Sequence, residues 1–358
     1  MKIAISNTIF FIQKFGGISR YFINLSNEFD KSKLEYKIIA PISKNILLKK
    51  KHNNKISLHF SRFPNTAALV NLNNFLFNRY IQIFNPDILH ETYYSNNVRN
   101  FKKIKILTIY DTIHEKYSEN YSKEQIDRKK KVLNYVDHFI CISKYTQECF
   151  IQLYNVPINK TSVIYLSGEH IKKKLNYNHL IFEKYNLKKN SFFLFVGSRD
   201  KYKNFQLLKE SLILLNKFKD FKIVCFGGGN FSHDEFNNLN DSFINIQGDD
   251  GELKYLYENA FALIVPSIEE GFGITILEAM ELGCPVLCSD IKVFREVGGL
   301  APMYFSPSSE DELIDRMEKL ILDKSRRDLM IKEGLNQCKS YSWNFCANQT
   351  EKIYKSLL

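Results

Sequence analysis

Absences narrow the chemistry of this chain first. Its seven cysteines, at 141, 149, 225, 284, 288, 338 and 346, form no C-x-x-C pair. An odd count set mostly in apolar segments argues against a disulfide frame and for reduced, buried thiols in the cytosol. There is no D-x-D triplet and no His or Cys cluster with metal-ligand spacing, so no metal is expected beyond one that arrives with a substrate. No G-x-S-x-G elbow or Walker loop occurs, which disfavours a hydrolase or a P-loop ATPase. No apolar run approaches the roughly 18 residues that span a bilayer. Met1 leads into Lys2-Ile3-Ala4-Ile5-Ser6, too short for a signal-peptide core and readable as a first strand. Membrane contact, if made, is expected to be peripheral.

What is present fits two domains. At 358 residues with 44% hydrophobic side chains, the chain exceeds one comfortable core and can fill two. The net charge of +11 is uneven: residues 1–180 carry 28 Lys/Arg against 13 Asp/Glu, and residues 181–358 carry 22 against 26. A basic half suits a polyanion, either nucleic acid or an anionic membrane surface, although plain solubility accounts for it equally. No recognised nucleic-acid module or aromatic pattern accompanies the charge, so nucleic acid is not expected as a partner.

Short β-rich runs alternate with helical patterns throughout, which predicts an α/β protein of parallel sheets covered by helices. Strands are expected at 3–6, 36–40, 56–60, 87–90, 104–110, 138–142 and 162–166, with Ser143 capping the helix after the sixth. Periodicity weakens from Ser167 to Asn190 around Lys172-Lys173-Lys174, which places a linker at 171–190 between domains at 1–170 and 191–342. A second alternation follows at 192–196, 222–226, 243–246, 261–265 and 285–288. Beyond Ser309 the pattern is helical, ending in an amphipathic helix from Trp343 to Leu358.

In open parallel sheets ligands bind beyond the carboxyl ends of strands, so the polar residues there carry weight. The most informative is Pro266 to Asp290, PSIEEGFGITILEAMELGCPVLCSD. Gly271 and Gly273 permit a sharp turn and close backbone approach, and a helix starts at Ile274 and is closed by Gly283. Its first amides, at the positive dipole end, make a seat for a diphosphate. Glu270 before that helix and Glu278 within it are repelled by phosphate and suit sugar or ribose hydroxyls.

Other strand ends add to this set. Gly197-Ser198-Arg199-Asp200-Lys201-Tyr202-Lys203-Asn204 puts Arg199 and Lys203 at a tip where they can neutralise a diphosphate leaving group, or form a solvated charged turn. Gly16-Gly17-Ile18-Ser19-Arg20 opens another helix, and Gly17 can bring its amide against a phosphate, or simply make a turn. Gly227-Gly228-Gly229 reads as a turn near the nucleotide. In Tyr110-Asp111-Thr112-Ile113-His114, after a strand, Asp111 and His114 are candidates for touching the transferred group or an acceptor hydroxyl. A structural Asp capping the next turn fits the same position. His90-Glu91-Thr92-Tyr93-Tyr94, after another strand, is expected to face the same cleft.

Taken together these motifs resemble the family 4 glycosyltransferases, retaining enzymes of the GT-B fold with two Rossmann-like domains whose parallel sheets face a central cleft. The matching points are Gly16 to Arg20, Val196 to Arg199 with Lys203-Asn204, Pro266-Ser267 with Glu270 to Gly273, Leu277 to Met280, and Gly283 with Pro285-Val286. The resemblance implies that Arg199 and Lys203 bind the donor diphosphate, that Glu270 contacts the donor sugar, and that Glu278 holds the nucleotide ribose. It implies that amides from Gly271 through Ile274, near Phe272 and Gly273, complete the phosphate site. Gly17 would approach from the acceptor domain, Gln247-Gly248-Asp249 would lie near the base, and the terminal helix from Trp343 would pack back onto the first domain. Many members carry His where this chain has Tyr110, which puts a catalytic His in doubt and leaves Asp111 as the candidate.

The expected function is transfer of a hexose from a nucleoside-diphosphate sugar, with retention, to a lipid-linked or oligosaccharide acceptor in surface-polysaccharide assembly. The Gly16 to Tyr21 and Gly197 to Asn204 wording is similar to the mannosyl branch, which makes GDP-mannose the first donor and a UDP-sugar the second. No cofactor or metal is expected. A cytoplasmic setting is expected, with room for peripheral contact at the inner face of the plasma membrane. The rival within enzymes is a GT-B-like sugar-nucleotide epimerase, which would need no acceptor.

Overall fold

The structure, a computed structural model, describes residues 1–51, 53–64, 66–117, 119, 123–173, 180–211, 221–231 and 242–358. The chain divides into two compact units, Met1–Leu166 with Trp343–Leu358, and Ser167–Ser342. Each is built on one sheet whose strand pairings are all parallel.

In the first unit the strands are β1 Lys2–Ile5, β2 Glu35–Ser43, β3 Lys55–His59, β4 Ile88–Glu91, β5 Ile104–Ile109, β6 His138–Cys141 and β7 Thr161–Val163, ordered β3-β2-β1-β4-β5-β6-β7. The central strands are buried on both faces, as expected where helices cover both sides of a parallel sheet. Alternation along β4 shows how. Leu89 points to one face, where it packs with Ala4, Ile39 and with Phe77 and Phe84 of helix Ala67–Phe84. The next residue, His90, points to the other face, against Phe22 of helix Gly17–Phe29 and Tyr354 of the terminal helix Trp343–Ser356. Helix Ala67–Phe84 begins at Thr66, whose Oγ1 accepts from the Leu69 amide, and ends at Asn85 in the left-handed region. Ser143 caps helix Lys144–Tyr154 by accepting from the Thr146 amide at 2.9 Å.

The second unit holds β8 Phe192–Val196, β9 Lys222–Phe226, β10 Phe243–Ile246, β11 Ala262–Val265, β12 Val286–Ser289 and β13 Met303–Phe305, ordered β10-β9-β8-β11-β12-β13. One face carries a core of Phe193, Phe195, Ile223, Ile264 and Leu287 closed by Leu313 and Met317 of helix Glu310–Leu322. The strand β13 was not expected; its three residues are too few to show a period.

The division falls after Leu166 rather than at residue 170, and the described parts of the expected linker, 171–190, belong to the second unit. The reason lies in bonds the sequence does not display: Ser167 Oγ donates to the Tyr341 carbonyl at 3.3 Å, and His170 reaches Glu278. Residues 174–179 of that stretch lie outside the described residues.

Strand order reverses between β1 and β4 in one sheet and between β8 and β11 in the other. Those two switch points, at the carboxyl ends of the strands, are where a parallel sheet opens a crevice for ligand. Among the described residues no helix is long and apolar enough to cross a membrane.

Candidate functional site

At the β8/β11 switch point two loops meet. The loop after β8 starts at Gly197, whose φ of +123° glycine tolerates best, and runs to a short helical turn at Lys201–Lys203. The loop after β11 runs from Pro266 to Gly273. The Ile268 amide donates to the Tyr202 carbonyl at 2.8 Å, tying the loops together. This tie brings Lys203 Nζ to 2.5 Å from Glu270 Oε1, which also accepts from Ser267 Oγ at 3.0 Å. Both charged side chains are mostly buried, so their attraction is less screened than at an open surface.

Next to this pair the helix Ile274–Glu281 begins. Gly273 stands before it at φ +90°, and a Cβ there would come within 2.7 Å of the Phe294 ring, so glycine is required twice over. The helix has no side-chain cap bond and no acid in its first turn. Such a start, flanked by Lys203, favours an anion. Gly271 lies in the turn, Phe272 is buried with its ring edge-on to Tyr341, and Ile274 is the first helical residue.

Arg199 is placed differently from its expected partner. Its guanidinium donates to the carbonyls of Gly227, Gly229 and Asn230, the last at 2.7 Å, and sits over the Phe231 ring. Gln247 converges on the same turn, donating to the Gly227 and Gly229 carbonyls at 3.1 and 2.7 Å. All three glycines of the turn have positive φ, and a Cβ on Gly228 would come within 2.5 Å of the Gly197 carbonyl oxygen. The turn after β9 is thus packed onto the loop after β8. Gly227-Gly228-Gly229, which the sequence marks only as a turn, is the hub that positions Arg199 and Gln247.

Glu278 differs more from expectation. An open ribose ligand was anticipated, yet Glu278 is buried with both oxygens engaged: Oε1 with His170 Nε2 at 2.9 Å and Oε2 with Tyr257 Oη at 3.1 Å. Gly168 presses on the same place, since its Cβ would stand 2.6 Å from the Glu278 nitrogen. Sequence reasoning missed His170 and Tyr257, and quoted Ser267 among the matching points without giving it a role. The one available signal was the polar run Ser167-Gly168-Glu169-His170 following the last strand of the first sheet.

In the first unit, the β1/β4 switch point opens a cavity of about 660 Å³. Asn7 and Thr8 line it from beyond β1, Tyr93, Tyr94 and Asn96 from beyond β4, and Lys129 from helix Lys123–Leu133. Lys129 Nζ lies 2.7 Å from His114 Nδ1 and 3.1 Å from the buried Glu115 carboxylate, over the Tyr94 ring. Burial lowers the His114 pKa, in keeping with an imidazole that accepts from the ammonium. Asp111 is half-buried and accepts from the Ile113 amide at 3.1 Å, so the bond it makes is that of a turn cap; burial raises its pKa. Tyr110 is buried and donates to the Thr92 carbonyl at 3.3 Å. His90 and Glu91, expected to face a cleft, are instead inside the sheet layers, with His90 2.6 Å from Tyr354 Oη. Gly17 is exposed at the first position of its helix, and a Cβ there would meet nothing within 4 Å.

Among the described residues no three His, Cys, Asp or Glu side chains gather as a metal would need.

Two protein families match, one in each unit. Residues 15–166 match the family described as Glycosyltransferase Family 4, and residues 178–337 that described as Glycosyl transferases group 1. The chain is similar to the O-antigen chain mannosyltransferase B of Escherichia coli, 28% identical over 68% of this chain and 65% of the relative. It is also similar to the O-antigen chain mannosyltransferase RfbU of Salmonella typhimurium, 31% identical over 48% of each chain. The chain thus covers less than two thirds of either relative's length. Among solved structures, the sucrose-phosphate synthase of Thermosynechococcus elongatus superposes with a TM-score of 0.78 at 16% identity, covering 99% of this chain and 98% of the other.

Proposed function

This chain belongs to the family 4 glycosyltransferases, with the GT-B fold of two Rossmann-like domains, and we propose that it transfers a hexose, mannose first, from a nucleoside-diphosphate sugar to a lipid-linked glycan. The observation that carries this reading is the Lys203–Glu270 contact beside the uncapped start of helix Ile274–Glu281. A cation, a helix amino end and a carboxylate there present complementary groups to a phosphate and a sugar hydroxyl. The mannosyl assignment rests on the two O-antigen mannosyltransferases to which the chain is similar, and makes GDP-mannose the first donor.

In the proposed reaction an acceptor hydroxyl oxygen attacks the anomeric carbon from the face the diphosphate leaves. The bond from that carbon to the phosphate oxygen breaks, the configuration is retained, and the acceptor proton passes to the departing phosphate. Lys203 and the amides from Gly271 to Ile274 offset the charge growing on the leaving group, which is typically the largest catalytic term. No metal is needed for that. Arg199 holds the glycine turn after β9 against the loop after β8, which places its positive charge on the side of the site where a diphosphate would sit. Glu270 accepts a sugar hydroxyl, and Glu278 meets the ribose through lone pairs left by His170 and Tyr257. The cavity in the first unit, walled by tyrosines and asparagines, suits a glycan: rings cover sugar faces and amides bond hydroxyls. The protein works in the cytoplasm at an anionic membrane face.

Thermal-shift titration with GDP-mannose and UDP-sugars, followed by transfer assays on lipid-linked oligosaccharides, tests this. Donor binding should raise the melting temperature by mass action. Absence of turnover with every GDP- and UDP-sugar would overturn it, and altered sugar released without acceptor would indicate an epimerase.

A further inference from the structure

Helix Ala67–Phe84 is apolar on the side it shows to solvent as well as on the side it buries. Phe77 and Phe84 enter the core, whereas Leu72, Phe75 and Ile83 are 48%, 61% and 78% exposed. At about 100° per residue, these three and Arg79 fall in one stripe opposite Phe77. In the same unit, Leu58 on the edge strand β3 and Phe60 after it are also exposed. A soluble surface usually shows large apolar groups singly, and a contiguous set marks a contact face.

The stretch of chain that carries the stripe has charge of one sign. From Tyr36 to Pro86 there is no Asp or Glu, against eight Lys and Arg. Lys51 is buried in an ion pair with Asp30, while Lys49, Lys50, Arg62 and Arg79 are exposed. A second copy of the chain on this face would set cations against cations. An anionic lipid surface offers both the apolar layer and the missing negative charge.

We propose that the stripe formed by Leu72, Phe75 and Ile83 docks on an anionic bilayer, with the exposed lysines and arginines of the acid-free stretch at the headgroups. The other side of the same helix lines the first-unit cavity through Val70, Asn73 and Asn74. Docking therefore sets that cavity at the bilayer surface, which, on the functional reading above, is where a lipid-linked acceptor presents its glycan.

Co-sedimentation of the full chain with phosphatidylethanolamine/phosphatidylglycerol vesicles and with phosphatidylcholine vesicles tests the proposal. Binding is expected to the anionic vesicles only and to weaken with salt. L72S/F75S should lower it at least about tenfold, since two large side chains leave the interface. K49Q/K50Q, which leaves the apolar stripe intact, should lower it several-fold. Melting temperature and the GDP-mannose thermal shift should not move in either variant. Equal binding to both vesicle types, no binding by the native chain, or a native dimer that L72S/F75S makes monomeric would each overturn the proposal. Loss of the donor shift in the native chain alone would instead strike the transferase reading.

Discussion

His170 Nε2 and Glu278 Oε1 stand 2.9 Å apart inside the second unit, joining its first residues to the middle of helix Ile274–Glu281. The carboxylate that the sequence offers as a ligand is therefore held by two side chains, His170 and Tyr257, before any donor arrives.

Removing that hold should be felt in both folding and binding. His170→Ala leaves the buried carboxylate with Tyr257 alone and is expected to cost about 1–3 kcal/mol of stability, the usual penalty for a buried group stripped of a partner. Urea unfolding measures it. The donor KM should rise while kcat changes less, and His170→Gln, which keeps a donor, should recover part of both.

Lys203 and Glu270 sit in loops, so substitution there should spare the fold. Lys203→Met and Glu270→Gln are each expected to lower kcat by about a hundredfold or more, the scale for losing one group that stabilises developing charge. The fold should persist with a lowered melting temperature, since each variant leaves a mostly buried charge without its partner, and native rates in both variants would dismiss the site.

Two glycines make a controlled comparison. Gly273→Ala meets the Phe294 ring and a left-handed backbone, and should lose more than about 1 kcal/mol together with activity. Gly17→Ala has open space around its Cβ and should melt like the native chain. A fall in its donor affinity would then report a ligand close to that amide.

Glu91 is buried beside Ser6 Oγ at 2.5 Å, and burial pushes its pKa from the ordinary 4.5 to about 8. Between those values the native state binds more protons than the unfolded chain, so stability is full below the lower value and falls as pH rises through the window. Glu91→Gln removes that slope, a change on the order of a few kcal/mol between about pH 5 and 8. Chemical denaturation at the two ends measures it. An unchanged slope would mean that Glu91 is ionised in the fold.

Much of this was readable from residue order because the physics is local. Runs such as Phe192 to Val196 announce buried strands, and Gly271 and Gly273 announce the turn that leads into the helix Ile274–Glu281 next to Glu270. Legibility ended where side chains choose partners far along the chain. Nothing near Glu278 in sequence points to His170, which lies 108 positions away. Spacing set Arg199 and Lys203 on one tip, but their side chains diverge, one to the glycine turn after β9 and one to Glu270. The short β13 failed for a simpler reason, since three residues carry no detectable alternation.

Helix Trp343–Ser356 completes the unit that begins at residue 1, through contacts such as Phe29 with Tyr354 and Tyr21 with Trp343. During synthesis the first unit lacks the cover of that helix over Tyr21, Phe29 and His90 until the last residues are made. The second unit, contiguous from Ser167 to Ser342, can close first, inverting the usual amino-to-carboxyl order of domain folding. A stalled or clipped chain that stops short of Trp343 would leave a contiguous second unit joined to a first unit missing its last helix, a ready substrate for chaperones and proteases.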